Sequence, residues 1–244
     1  MQDLQLNKER VLLSNQPLKV LLISGNENHK WHNWEENTPL IQEALQAEGD
    51  IAVTLSLDIE VLAGDLAEFD VLALNYCNWH DPTELSEQAK ANVIAFGEQG
   101  KGIVILHFAN GAFHFSLPEA GASDWPEYHR IVPRAWNHHG ESAHDDYGTF
   151  TVRMLDESHP ITQGIAPFET QDELYFNQEG DVEIHPLYAA VSNITNKEEP
   201  LAWTSGYRNS RVYQTLLGHD RHAYTASEVR ETLRRAVRWV ARRL

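Results

Sequence analysis

The sequence is short of cysteine, of basic side chains and of long apolar runs. Its single Cys, Cys77, excludes an intrachain disulfide, which fits a reducing, cytoplasmic setting. Lys and Arg number 19 against 36 Asp and Glu, a formal charge of −17. Nucleic-acid recognition needs a basic stripe that releases counterions, so that partner is excluded. The longest apolar runs are strand-sized, well below the roughly 20 residues that span a bilayer, so no membrane role is expected. Met1 to Arg10 is polar and carries no signal-peptide core. There is no HExxH spacing, so any metal shell has to be assembled from separate loops. Repeats, linkers and low-complexity tracts are also missing. The expectation is an N-terminal extension over 1–17 followed by one domain over 18–244, long enough to bury roughly 70% of its unfolded surface without a staple.

What the chain has in excess is histidine, 13 residues. The pattern around them is α/β. Leu18 to Ser24, Ile51 to Leu57, Phe69 to Tyr76 and Gly102 to His107 read as strands, several of them continuous apolar runs of the kind buried on both faces. Thr38-Pro39 reads as a helix start, with Thr as N-cap and Pro at the first helical position, and Gly49 as its stop. Asp81-Pro82-Thr83-Glu84 reads as a capping box opening a helix that runs to about Gln99. Helices between strands imply βαβ units and a mostly parallel sheet. The stretch from Phe108 to Asp146 is too long for a plain connection and reads as a functional excursion. Thr149 to Leu155, Leu187 to Val191, Leu201 to Thr204 and Arg211 to Leu217 are further strands. Ser227 to Leu244 is an amphipathic helix whose Arg residues form a solvated face.

Open parallel sheets bind ligands beyond the carboxyl ends of their strands. Four predicted strand ends there deliver His29, His80, His107 and His219, with Trp31 and Asn75 beside them. Neutral imidazole is a common transition-metal ligand and a proton shuttle near neutral pH. Glu127, Asp145, Asp172 and Glu173 are carboxylates that could orient the imidazoles, complete a metal shell or exchange protons. The adjacent pair Asp172-Glu173 reads either as an acid/base pair or as a helix cap. Ile105 to Gly111 resembles a nucleophile elbow, with His107 at or beside the apex and no Ser or Cys in the turn. Covalent acyl transfer is therefore not expected, and Cys77 reads as packing. Aromatic faces beside hydrogen-bonding groups suit a sugar ring; Trp31 and Trp136 fit that reading, whereas Trp203 and Trp239 read as core. His138 and His139 are rim residues of undecided orientation. His32, His114, His129, His159, His185 and His222 read as structural.

LISGNENHKW, LHFANGAF, WPEY, SAHDDYGTFTV, HPITQG, DELY and LAWT with RVYQTLLGHD stand in this order along Leu18 to Trp239. The series resembles the ThuA-like family of trehalose-utilisation-type proteins. The resemblance implies an α/β flavodoxin-like three-layer sandwich with a mostly parallel central sheet, of the class I glutamine amidotransferase-like kind, with His107 in place of the amidotransferase Cys. It implies a bacterial enzyme of disaccharide or keto-sugar catabolism; a non-catalytic sugar-binding or regulatory domain is the alternative. On the matching positions it suggests His107, His144, Asp172 and Glu173 as catalytic. It suggests His29, Trp31 and Glu127 as substrate-binding, to which the strand-end and aromatic readings add Asn75 and Trp136; the imidazoles His29, His107, His144 and His219 are the metal-binding candidates. A divalent metal, zinc or manganese, is left open, no nucleotide cofactor is indicated, the expected partner is a small sugar, and homo-oligomers are left open. One departure from the family pattern is Tyr207 to Arg211, where a Gly-rich turn is usual.

Overall fold

The computed structural model describes residues 16–26 and 31–244. In chain order these form β1 (Leu18–Asn26), α1 (Trp34–Gln46), β2 (Ile51–Ser56), β3 (Val71–Cys77), α2 (Glu87–Glu98), β4 (Gly102–Leu106) and the short α3 (Tyr128–Ile131). There follow β5 (Ala143–His144), β6 (Gly148–Met154), β7 (Phe168–Asp172), β8 (Tyr175–Phe176), β9 (His185–Val191), β10 (Glu198–Tyr207), β11 (Ser210–Thr215) and α4 (Ser227–Val240). The main sheet runs β2-β1-β3-β4-β11-β10-β9-β6-β7. Its first five strands are mutually parallel, in the flavodoxin order; β10, β9, β6 and β7 extend it in antiparallel fashion. This is the mostly parallel α/β sandwich that the sequence pattern implies.

The two-residue period of β1 shows why the core has two halves. Val20 and Leu22 face α1 and α4, packing with Ile41, Ala44, Leu45, Leu233 and Val237. Leu21 and Ile23 face the other way, against Leu85, Ala89, Val93 and Phe96 of the α2 region and Tyr128 and Ile131 of α3. Each fully buried Leu, Ile or Val contributes roughly 1.5–3 kcal/mol, so both faces are needed. Gly102 lets α4 close on the sheet: a Cβ there would lie 2.5 Å from a methyl of Val240 and 2.9 Å from its carbonyl carbon.

Two helix starts differ from expectation. α1 begins five residues early, capped by Asn33, whose side chain accepts from Glu35 N–H. Pro39 lies inside the helix, and the Thr38 hydroxyl is 2.6 Å from Ser24 Oγ rather than capping. α2 is capped by Ser86, whose Oγ accepts from Ala89 N–H, while Asp81 instead accepts from Thr83 N–H in the loop before it. The strand β7 has no counterpart in the sequence pattern. The Arg residues of α4 are not simply solvated. Arg238 binds Asp50 at 2.8 Å and Glu48 at 2.7 Å, Arg230 binds Glu43, and Arg234 and Arg235 bind Glu231. No helix among the described residues is long and apolar enough to cross a membrane.

Candidate functional site

His107 follows β4 directly and opens a 3-10 turn (His107–Gly111) with φ +42°. A side-chain-bearing residue in this region costs roughly 1–3 kcal/mol unless its surroundings hold it there. Here they do. His107 Nδ1 lies 2.5 Å from the Leu216 carbonyl oxygen. A carbonyl only accepts, so Nδ1 carries the proton and Nε2 keeps its lone pair. Gly218, with φ +132°, lies against it: a Cβ there would stand 3.2 Å from His107 Cβ and 2.7 Å from Tyr224 Oη. Burial, helped by His219, lowers the His107 pKa to about 3, so the ring is neutral at physiological pH.

Two more imidazoles meet it. His32 Nε2 lies 3.0 Å from His107 Nε2, and the His32 ring stacks on Phe108 with centroids 3.8 Å apart and planes 9° apart. His219, just past the end of β11, offers a third nitrogen. One ring nitrogen from each of the three lies within 4.8 Å of the others. Burial also lowers the His219 pKa.

Glu173 is the hub on the next side. Its Oε2 accepts from Tyr175 Oη at 2.5 Å and lies 3.2 Å from His219 Nδ1 and 3.5 Å from His144 Nδ1. His144 is partly exposed, and its Nδ1 also lies 2.8 Å from the Asp145 carbonyl oxygen. Asp172 plays a different part from its neighbour. It is fully buried, and its two oxygens accept backbone N–H bonds from Gly218 (2.7 Å), Glu173 (2.8 Å) and His219 (3.3 Å). Burial raises its carboxyl pKa to about 8 against those three donors. The imidazoles and Glu173 open onto a cavity of about 310 Å³ whose walls include Trp31, Trp79, Phe108 and Trp136. That is the low end of small-molecule pockets, roughly 300–1,000 Å³.

The family model described as trehalose utilisation matches residues 19–240. The chain belongs to the ThuA family. A ThuA-like protein of Parabacteroides merdae is similar in structure, with a TM-score of 0.77, 24% identity, and coverage of 93% of this chain and 90% of that one. A ThuA-like protein of Bacteroides uniformis gives 0.67, 16%, 93% and 92%. A cytoplasmic protein of Salmonella typhimurium gives 0.65, 12%, 91% and 99%. At these identities the likeness shows the fold. No curated protein matches the sequence.

The ThuA fold gathers some of the residues expected at the site and disperses others. His107, His144, Glu173, His219, Trp31 and Trp136 line the cavity, and of the adjacent rim pair it is His138 that does so. His29 and most of the 1–17 extension lie outside the described residues. Asp172 stands behind the cavity wall, because its oxygens are taken up by backbone donors. Asn75 donates to Ser24 Oγ at 3.0 Å and borders a narrow recess beneath His32 and His107. Glu127 is placed elsewhere, as a correction to the substrate-binding expectation: it accepts from Tyr207 Oη (2.6 Å) and Arg208 (2.9 Å), which fix α3 to the β10–β11 hairpin. His144 is not one of the three clustered imidazoles; it faces Glu173. His80 pairs with Glu119 away from the cavity. His32, read from sequence as structural, lies at the centre. The available signal was its place in the loop after β1, three residues beyond His29.

The rim of the ThuA cavity rests on a buried neutral imidazole. His114 Nδ1 accepts from Ser116 N–H at 3.2 Å and lies 2.7 Å from Ser116 Oγ, which accepts from His138 N–H at 2.8 Å. Burial, with His129 nearby, lowers its pKa to about 4. A His depressed in the folded state contributes stability that is full above its unfolded pKa near 6.5 and is lost as pH falls through 4. This group alone is expected to remove about 2 kcal/mol between pH 7 and pH 5. Urea unfolding at both pH values should show a pH slope that much flatter in His114→Phe; an unchanged slope would refute the assignment.

Proposed function

We propose that the chain is an enzyme of carbohydrate catabolism, acting on a trehalose-like disaccharide or a keto-sugar derivative by proton transfer between imidazole and carboxylate. The observation that carries this reading is the Glu173 hub at an aromatic-walled cavity. Trp31 and Trp136 offer flat apolar faces to the C–H face of a sugar ring, and polar atoms converge between them. The family description, trehalose utilisation, supports the substrate class.

Within this reading, His219 Nδ1 donates to Tyr175 Oη at 3.2 Å, Tyr175 Oη donates in turn to Glu173, and the Glu173 carboxylate is the group that takes up a proton from substrate. His144, at the solvent side, exchanges the transferred proton with water. Asp172 is a positioning residue that fixes the backbone of Glu173, Gly218 and His219. We place the reaction in the cytoplasm, on the single buried cysteine and the similarity to a protein described as cytoplasmic.

The test is incubation with trehalose and its oxidised keto derivatives, followed by NMR of the sugar. One of them should be consumed, and Trp136→Ala should raise KM about tenfold, the size of a lost aromatic contact. Sugars that bind and return unchanged would instead make the chain a non-catalytic binder.

A further inference from the structure

We propose that His32, His107 and His219 form a transition-metal site whose open position faces the cavity. The inference goes beyond the sugar reading and does not depend on it. In a tetrahedral zinc site the ligand nitrogens lie 2.0–2.1 Å from the ion, hence about 3.3 Å from one another. His32 Nε2 and His107 Nε2 are 3.0 Å apart, close to that spacing, and the His219 nitrogen lies within 4.8 Å of both.

The outer contacts have the form that metal-bound imidazoles use. A ligating His donates its other ring N–H to a carbonyl or carboxylate, which fixes the tautomer and raises ligand basicity. His107 Nδ1 donates to the Leu216 carbonyl, and His219 Nδ1 faces the Glu173 carboxylate at 3.2 Å. The His107 Nε2 lone pair thus faces His32, and His219 keeps its Nε2 for an ion. His32 is held by its stack on Phe108.

The donor set chooses the class of ion. Three imidazoles without thiolate favour zinc, cobalt, nickel or copper over magnesium and calcium, which require oxygen. Three protein ligands with a fourth place open to a cavity is the catalytic zinc pattern, able to polarise a carbonyl or a bound water. The rival account of the 3.0 Å contact is a direct N–H···N bond from His32 to His107, with a proton where the ion would sit.

The experiment uses the full chain, stripped with chelator and dialysed against zinc or cobalt(II). Wild type should retain about one ion per chain by elemental analysis. Bound cobalt should give the visible absorption of a tetrahedral site. His219→Ala and the more peripheral His32→Gln should each lower affinity at least 100-fold with an unchanged far-UV spectrum, whereas His80→Ala should bind as wild type. Glu173→Gln should keep the stoichiometry and weaken affinity 10–100-fold. Wild type retaining less than about a tenth of an ion per chain, or equal binding by His32→Gln, would overturn the proposal. Every readout is taken without sugar, so a failed substrate assay leaves the metal result standing.

Discussion

Glu173→Gln is expected to lower kcat on the sugar substrate by 10²–10⁴-fold, the range for losing a positioned proton carrier, with little change in fold. The carboxylate receives Tyr175 Oη and faces His219 and His144 through one oxygen. Glutamine keeps the size and one acceptor oxygen but can neither carry negative charge nor take up a proton. KM should move by far less than kcat, because the aromatic walls that hold the sugar are untouched. The comparison needs wild type and variant at several pH values, with and without added zinc. A kcat within threefold of wild type across that range would remove Glu173 from the chemistry. A loss fully reversed by zinc would make it a metal-orienting residue only.

Asp172→Ala should produce the largest loss of stability of any single site change around the cavity, about 3–5 kcal/mol. The side chain is fully buried and collects N–H groups from Glu173, Gly218 and His219. Alanine leaves those three donors without their acceptor where water has little access. For a chain of this length, a fall in Tm of roughly 6–20 °C follows. Asp172→Asn retains one acceptor oxygen, so it should fall between wild type and Ala. A Tm within 2 °C of wild type in the Ala variant would mean that the N–H groups find other partners. Because Asp172 ties β7 to the loop after β11 through Gly218 and His219, the His219 position should loosen along with stability.

The parallel half of the sheet was legible because its strands are buried on both faces and so read as unbroken apolar runs. Val20 to Ile23 need no partner to be recognised. β7 was hidden for the opposite reason. Its inward positions are Phe168, Thr170 and Asp172, with Glu169 and Gln171 between, so two of its three buried side chains are polar. The helix starts misled because Pro39 and Pro82 sit where a first-turn proline is common, whereas the capping oxygens belong to Asn33 and Ser86. At the site, His107 and His219 could be found because strand ends point to them. His32 could not, because its place depends on Phe108, a contact across 76 residues of chain. Glu127 misled through its motif: its charge is used by Arg208, and no local pattern announces a partner so far along the chain.

The ion pairs between α4 and its neighbours bear on which ligands approach the molecule. Arg230, Arg234, Arg235 and Arg238 are held close to Glu43, Glu48, Asp50 and Glu231, so their positive charge is cancelled within a few ångströms. The remaining excess of carboxylates sets the potential felt beyond the surface. At physiological ionic strength that potential extends about 8 Å. A phosphorylated sugar diffusing toward the cavity is slowed by it, and the more so in dilute buffer. An uncharged disaccharide meets no such barrier, and its encounter rate is indifferent to salt.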